Sequence, residues 1–323
     1  MSSEIINPSV IYGLSSEEYH RAEPYKQYLS STGLKHYIKS PRYAKYMFDH
    51  PDDSETDAQK FGSLFHECMS AIASGASIDA VLDNIVVFNP PINEKTGQAY
   101  GASTKAYKEA YDEFLAQNTG KDISTQEEVD KVRAMLHSLL ESSGATSAQV
   151  KQLLKWAKGS EVSYFYETDK GIKLKVRPDL LTGTKIVDWK TTSIDTLDDD
   201  NIARQIIKYR YDVSLSMYQY VLHEITKQWL TPILVFVQKQ EPYDAVMCDI
   251  SDWCFTYDDA DDYVKPGIGA LEFKRLLDLH TRCVNANQWP GAETAIEADG
   301  NIRILKPTIP TWLGYKYYDY DNF

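Results

Sequence analysis

The chain has 323 residues and 36.8 kDa, with 43% apolar and 25% charged residues, enough for a substantial core in one large or two ordinary domains. Its 34 basic and 47 acidic residues leave a net charge of −13, which excludes a protein coated in positive charge but not a nucleic-acid enzyme with a local basic strip. Four cysteines are too few for a disulfide scaffold, and no stretch approaches the roughly 20 apolar residues of a membrane span. Met1-Ser2-Ser3-Glu4 lacks the basic end and apolar run of a signal peptide, so a soluble cytoplasmic protein with no membrane partner is expected.

The first sixty residues read as short helices. Ser15-Ser16 before Glu17-Glu18 marks one start, Ser30-Ser31-Thr32 caps a helix through Lys39, and Ser40-Pro41 breaks it before another begins at Arg42. Asp49 to Asp57 reads as an exposed acidic connection. A helix is predicted over 58–73, where Phe61, Leu64, Phe65, Cys68 and Met69 share one face. Residues 89–101 read as a polar loop and 105–116 as a helix; Ser124-Thr125-Gln126-Glu127 then matches a capping box before Val129, Val132, Met135 and Leu139.

At Glu161 the period changes to two. Val162, Tyr164 and Tyr166, then Ile172, Leu174 and Val176, alternate on either side of a hairpin turn at Asp169-Lys170-Gly171. Lys185 to Trp189 is a third strand, 202–226 is helical, and 233–237 is a buried strand. Asp252 to Tyr263 holds five aspartates and no base, which reads as a solvated surface. The fold class is α/β, a central mixed sheet flanked by helices. It is read as one domain: a mainly helical part over 1–160, the catalytic sheet and following helix over 161–240, and an extension over 241–323.

The chemistry concentrates in Val176-Arg177-Pro178-Asp179 and Asp188-Trp189-Lys190-Thr191-Thr192. Asp179 ends one strand and Asp188 lies on the next, with a turn at Thr182-Gly183-Thr184, so neighbouring strands can bring the two carboxylates together. Such a pair repels unless a cation sits between, and Mg²⁺ or Mn²⁺ is the natural choice for hard oxygen donors. Lys190 is two residues past Asp188 and therefore on the same face. A metal-holding carboxylate pair beside an ammonium suits phosphodiester hydrolysis. Asp-x-Lys alone is more often a surface ion pair, but five bases against two acids between Gly171 and Lys190 form the local strip a −13 protein needs for DNA phosphates.

Pro178-Asp179 followed by Asp188-x-Lys190 resembles the PD-(D/E)xK nuclease core, and the wider chain resembles the RecE-like exonucleases of phages and prophages. The likeness runs in order through Tyr12-Gly13-Leu14-Ser15, Leu29-Ser30, Gly62-Ser63-Leu64-Phe65-His66, Glu161-Val162-Ser163, Tyr209-Arg210-Tyr211, Trp289-Pro290 and Pro310-Thr311-Trp312. It implies that His66, Asp179, Asp188 and the backbone carbonyl of Trp189 bind metal and that Lys190 is the catalytic lysine. On its own, His66 among Phe65, Cys68 and Met69 would read as a core histidine. Glu161 has two readings, a role near the metals or a plain strand-start carboxylate. Lys173, Lys175, Arg177, Tyr209 and Arg210 are the candidate DNA contacts. Where many relatives carry a glutamine four residues before Tyr218, this chain has Ser214, with Gln219 out of register; Tyr211 and Tyr218 read as packing residues.

The resemblance further implies Mg²⁺-dependent degradation of one strand from double-stranded DNA ends, 5′→3′, leaving 3′ tails for a RecT-type recombinase, by a toroidal homotetramer. Two alternatives stay open. An AddB or CRISPR-associated type of nuclease carries an iron–sulfur cluster, but Cys68, Cys248, Cys254 and Cys283 lack its spacing, so no cluster is expected. A DNA mimic or scaffold would suit the acidic surface, yet has no chemical need for His66, Asp179, Asp188 and Lys190 together.

Overall fold

A computed structural model describes residues 8–51, 56–119, 123–258, 260, 262–291 and 307–308. The leader reading of residues 1–4, the middle of the acidic connection at 52–55, and Pro310-Thr311-Trp312 lie outside the described residues.

The helical half follows its capping residues. A short strand β1 (Ser9–Ile11) precedes α1 (Ser16–Arg21), whose Ser15 cap and Glu18 form a capping box. Ser30 caps α2 (Ser31–Lys35) and Ser40 caps α3 (Pro41–Asp49), with proline at the first helical position, where its missing N–H costs nothing. The predicted helix through Lys39 is therefore shorter: α geometry ends at Lys35 and a 3-10 turn follows over His36–Ile38. The long helix α4 (Asp57–Ala73) starts from Thr56, and its buried residues are the five that the periodicity marked. Then come α5 (Ile78–Leu82), β2 (Val86–Phe88), α6 (Lys105–Gln117), β3 (Ile123–Thr125), α7 (Gln126–Glu141) and α8 (Ala145–Lys155). The capping box of α7 sits one residue later than expected. Thr125 is the cap and Glu128 its partner, because Ser124 is still paired in β3 and buried.

From here the chain builds β4 (Gly159–Ser160), β5 (Ser163–Glu167), β6 (Lys173–Val176), β7 (Leu180–Leu181), β8 (Lys185–Thr192), α9 (Asp199–Tyr209), α10 (Tyr211–Thr226), β9 (Thr231–Gln238), β10 (Ala245–Asp249), β11 (Phe255–Asp258), β12 (Tyr263–Pro266) and α11 (Ile268–Ala286). Two sheets carry the central part. One is mixed, in the order β10-β9-β8-β7-β4, with β8 and β9 parallel; the other, β1-β5-β6, is antiparallel. The predicted hairpin is β5–β6, turned at Gly171 with φ +75. It does not pair with β8, as a single sheet would require. The chain leaves β6 and crosses at Arg177-Pro178-Asp179 into β7 of the other sheet.

Alternation along β8 sorts its residues to two cores. Val187 and Trp189 join Phe61, Leu64, Phe65 and the α7 residues on one face; Ile186 joins the α9 and α10 residues on the other. β9 is buried on both faces, and each of its fully buried Val, Leu or Ile side chains contributes about 1.5–3 kcal/mol. The helical region expected over 202–226 is two helices, broken at Arg210 in a left-handed conformation with φ 53 and ψ 50. In the acidic stretch at 252–263 the described aspartates Asp252, Asp258 and Asp262 are exposed, and the stretch carries β11 and leads into β12, its antiparallel partner.

Candidate active site

Three routes bring chemistry to one place. α4 carries His66 one turn past Gly62, where a Cβ would stand 3.9 Å from Thr191 Oγ1, so the helix lies close over the end of β8. Pairing of Leu180 with Val187 sets Asp179 beside Asp188, and the Trp189 N–H donates to Asp179 Oδ2 at 2.6 Å. Just before β5, Glu161 takes a left-handed φ of 53, and its N–H donates to the Asp179 carbonyl at 3.3 Å. Left-handed backbone in a non-glycine residue is a strained conformation that such sites use to aim a side chain. Ser160 Oγ holds the same carbonyl at 2.7 Å.

The outcome is a trio. Ligand atoms of His66, Glu161 and Asp179 all lie within 4.8 Å of one another, and His66 Nδ1 is 3.3 Å from Asp179 Oδ2. Asp188 stands next to it and is turned to Lys190, with Nζ 2.5 Å from Oδ2. Alternation put these two on one face, as the spacing requires.

The charges are strongly coupled through burial. For Asp179, burial works against the carboxylate, but His66, its hydrogen bond, Lys190 and the Trp189 N–H together hold the pKa below the usual value. Burial raises Asp188, with Lys190 opposing and Asp179 adding to the rise. Glu161 is pushed up to about 8 by burial first and then by the Asp179 charge. Burial also disfavours the Lys190 ammonium, yet Asp188 and Asp179 outweigh it and keep the lysine charged. His66 follows the same pattern: Asp179 outweighs burial and raises it.

This donor set fits a divalent cation. Two crowded carboxylates, one forced toward its protonated form, are relieved by a positive ion, and carboxylate oxygens with an imidazole make a donor set for a divalent metal. The expected metal ligands were His66, Asp179, Asp188 and the Trp189 carbonyl, with Glu161 open between a role near the metals and a plain strand-start carboxylate. The structure instead groups Glu161 with His66 and Asp179, with Asp188 on the flank held by Lys190. Period-2 alternation could not reveal this, because Glu161 arrives through a local left-handed turn.

A family model described as "PDDEXK-like domain of unknown function (DUF3799)" matches residues 30–297. The chain belongs to this PDDEXK-like family. Among solved structures, a candidate exonuclease from Eubacterium rectale superposes with a TM-score of 0.52 at 17% identity, over 93% of this chain and 97% of that one. At such identity the likeness speaks for the fold alone. No curated protein matches the chain. Among the described residues no helix is long and apolar enough to cross a membrane.

Around the PDDEXK-like site, the basic residues expected on one strip are mostly tied into the scaffold. Lys175, expected as a DNA contact, is 4% exposed, and its Nζ donates to the carbonyls of Tyr19 at 2.5 Å and Tyr25 at 3.1 Å, which ties it into the scaffold. Arg177 donates to Ser163 Oγ and to the Leu14 and Ser15 carbonyls, and its guanidinium lies 4.0 Å from the Tyr19 ring centre. Lys173 reaches Gln27 Oε1 at 2.9 Å. Arg210 forms a two-pronged pair with buried Asp212, at 3.0 and 2.9 Å. Tyr209 remains exposed and stacks on Tyr211, with ring centres 5.5 Å apart. Trp189 contributes its backbone N–H to Asp179, and its ring is buried on the α4 side.

Two residues read as packing also face the site. The Tyr211 ring lies 5.0 Å from Lys190 Nζ, and Tyr218 feels Asp188, Asp179 and Glu161; burial and those charges keep its phenol protonated. Their spacing of seven on one helix was the available signal. Lys35 was missed altogether. Its Nζ donates to the Tyr209 carbonyl at 3.1 Å, and its pKa falls to about 8 through burial and the nearby Lys190, despite Asp188. Gln219 is a structural clip, bonded to Leu230 and Phe255 backbone groups. Cys68, Cys254 and Cys283 are buried in the two cores, and Cys248 is partly buried.

Proposed function

We propose that this protein is a Mg²⁺-dependent exonuclease that degrades one strand of linear double-stranded DNA from its ends, with Mn²⁺ as a working substitute. The observation that carries the reading is the meeting of His66, Glu161 and Asp179 beside the buried Asp188–Lys190 pair. In this reading His66, Glu161, Asp179 and Asp188 hold the metal, with the Trp189 carbonyl as a further ligand. When bound, the metal neutralises phosphate charge and lowers the pKa of water. Lys190 keeps its proton beside Asp188 and donates it as a hydrogen bond to the phosphate oxygen on which charge develops. The phenol of Tyr218, kept protonated by burial and by the charges of Asp188, Asp179 and Glu161, helps to close the site to bulk water.

The RecE-like resemblance supplies the finer parts of the proposal. Digestion runs 5′→3′ and leaves 3′ single-stranded tails for a RecT-type recombinase, in the cytoplasm, with a homotetramer encircling the DNA.

The test is digestion of linear against covalently closed circular duplex, with Mg²⁺ and with EDTA. Metal-dependent loss of linear DNA alone supports the proposal. Equal cutting of circles would make it an endonuclease, and no cutting with Mg²⁺ would return the chain to the scaffold reading.

A further inference from the structure

Phe61 stands on α4 one residue before Gly62 and five before His66. Two ammonium groups converge on its ring. Lys131 Nζ, from α7, lies 5.9 Å from the ring centre, and Lys239 Nζ, just past β9, lies 6.0 Å from it. These residues come from three elements that meet around the carboxyl end of β8. Gly62 faces Thr191, and the Lys239 N–H donates to the Thr192 carbonyl at 2.8 Å. The lysine pair therefore flanks the residues immediately after Lys190. β8 and β9 run parallel and end here, and the carboxyl ends of parallel strands are where open α/β sheets take their ligands.

Neither lysine has an acidic partner among the described residues, whereas Arg133, two positions along the same helix, is held by Asp79 at 2.9 Å. An aromatic face attracts a cation only modestly, so the ring leaves both ammonium groups able to bind an anion. An anion with successive charges can engage both lysines, and the phosphodiester backbone of a nucleic acid is such an anion. Phe61 itself is 7% exposed, so its ring offers no open face to a base. A site of this kind grips backbone without reading sequence.

We infer that Lys131 and Lys239 form a phosphate-binding site on the α4 side of the metal cluster, holding the backbone of the DNA strand that enters the active site. The inference rests on the nuclease reading above and replaces the strip expected at Lys173, Lys175 and Arg177.

The experiment compares the full chain with Lys131→Gln/Lys239→Gln, Lys131→Arg/Lys239→Arg, and Lys265→Gln on β12 as a charge control. Affinity for a linear duplex is measured in EDTA across a salt series, and cleavage is measured in Mg²⁺. For the double Gln variant the slope of log affinity against log salt should become shallower by about 1.8, two phosphate contacts' worth. KM should rise about tenfold or more at unchanged kcat. The double Arg variant and the Lys265 control should match the wild type, and thermal unfolding should show all variants folded. If the wild type degrades linear DNA but the double Gln variant keeps its slope and KM, this inference fails and the nuclease reading stands. If the wild type neither binds nor cuts DNA, both fail.

Discussion

The backbone N–H of Trp189 donates to Asp179 Oδ2 over 2.6 Å, so β8 uses a main-chain donor to aim a carboxylate. On its other side the same oxygen faces His66 Nδ1 at 3.3 Å. Asp179 is thus fixed between a sheet and a helix, and the geometry of the whole cluster depends on the register of β7 against β8.

Asp188→Ala should abolish cleavage while DNA binding persists. It also leaves the Lys190 ammonium buried without its 2.5 Å partner, a change that costs about 3 kcal/mol. Digestion assays, duplex binding in EDTA and urea unfolding separate the two effects. A variant that degrades DNA ends at the wild-type rate would show that the chemistry lies elsewhere.

Glu161→Gln tests the third member of the trio. The folded pKa of about 8 lies above the ordinary glutamate value of 4.5, so ionising this carboxyl costs stability as the pH rises toward 8. In EDTA at pH 8 the Gln variant should therefore melt at or above the wild-type temperature. Adding Mg²⁺ or Mn²⁺ at 100 times its Kd should stabilise the wild type by about 2.7 kcal/mol and the variant by much less. Equal metal-induced shifts in calorimetry would exclude Glu161 as a ligand.

Arg210→Gln should act on stability more than on DNA affinity. Asp212 is 2% exposed and receives both prongs of the guanidinium, so removing Arg210 strands a buried carboxylate at the junction of α9 and α10. A loss of about 3–5 kcal/mol is expected. The duplex Kd, measured at a temperature where the variant is folded, should stay within about twofold of wild type if Arg210 makes no phosphate contact, a free-energy change below about 0.5 kcal/mol.

His280 predicts an acid-side loss of stability. Burial lowers its pKa from 6.5 to about 4, and its Nδ1 meets the Tyr37 hydroxyl at 2.8 Å. Because the folded value is depressed, the unfolded chain takes up this proton first. Stability contributed by the neutral ring is full above pH 6.5 and declines as the pH falls toward 4, by at most ~1.4 kcal/mol per pH unit for this one group. Denaturant unfolding at stepped pH should show a shallower decline over that window in His280→Gln.

Much of the local structure was legible in the sequence, because it depends on near neighbours. The apolar face of α4, the serine and threonine caps, the Gly171 turn, and Asp188 and Lys190 on one face of a strand are consequences of periods of 3.6 and 2 and of local hydrogen bonds. The break at Arg210 was not visible, since a left-handed arginine is held there by Asp212 and not by its own propensity.

By itself, then, the sequence determined which residues could do metal-assisted chemistry and which strand and helix would carry Asp188, Lys190 and His66. Tertiary structure alone decided which charges are available. It buried Lys175 against the Tyr19 and Tyr25 carbonyls, locked Arg210 to Asp212, and swung Glu161 in through a left-handed turn to join His66 and Asp179. It also brought Lys131 and Lys239, distant in sequence, to the ring of Phe61. The reason is physical. A charge's chemistry depends on its desolvation and on its neighbours in space, and composition and spacing record neither.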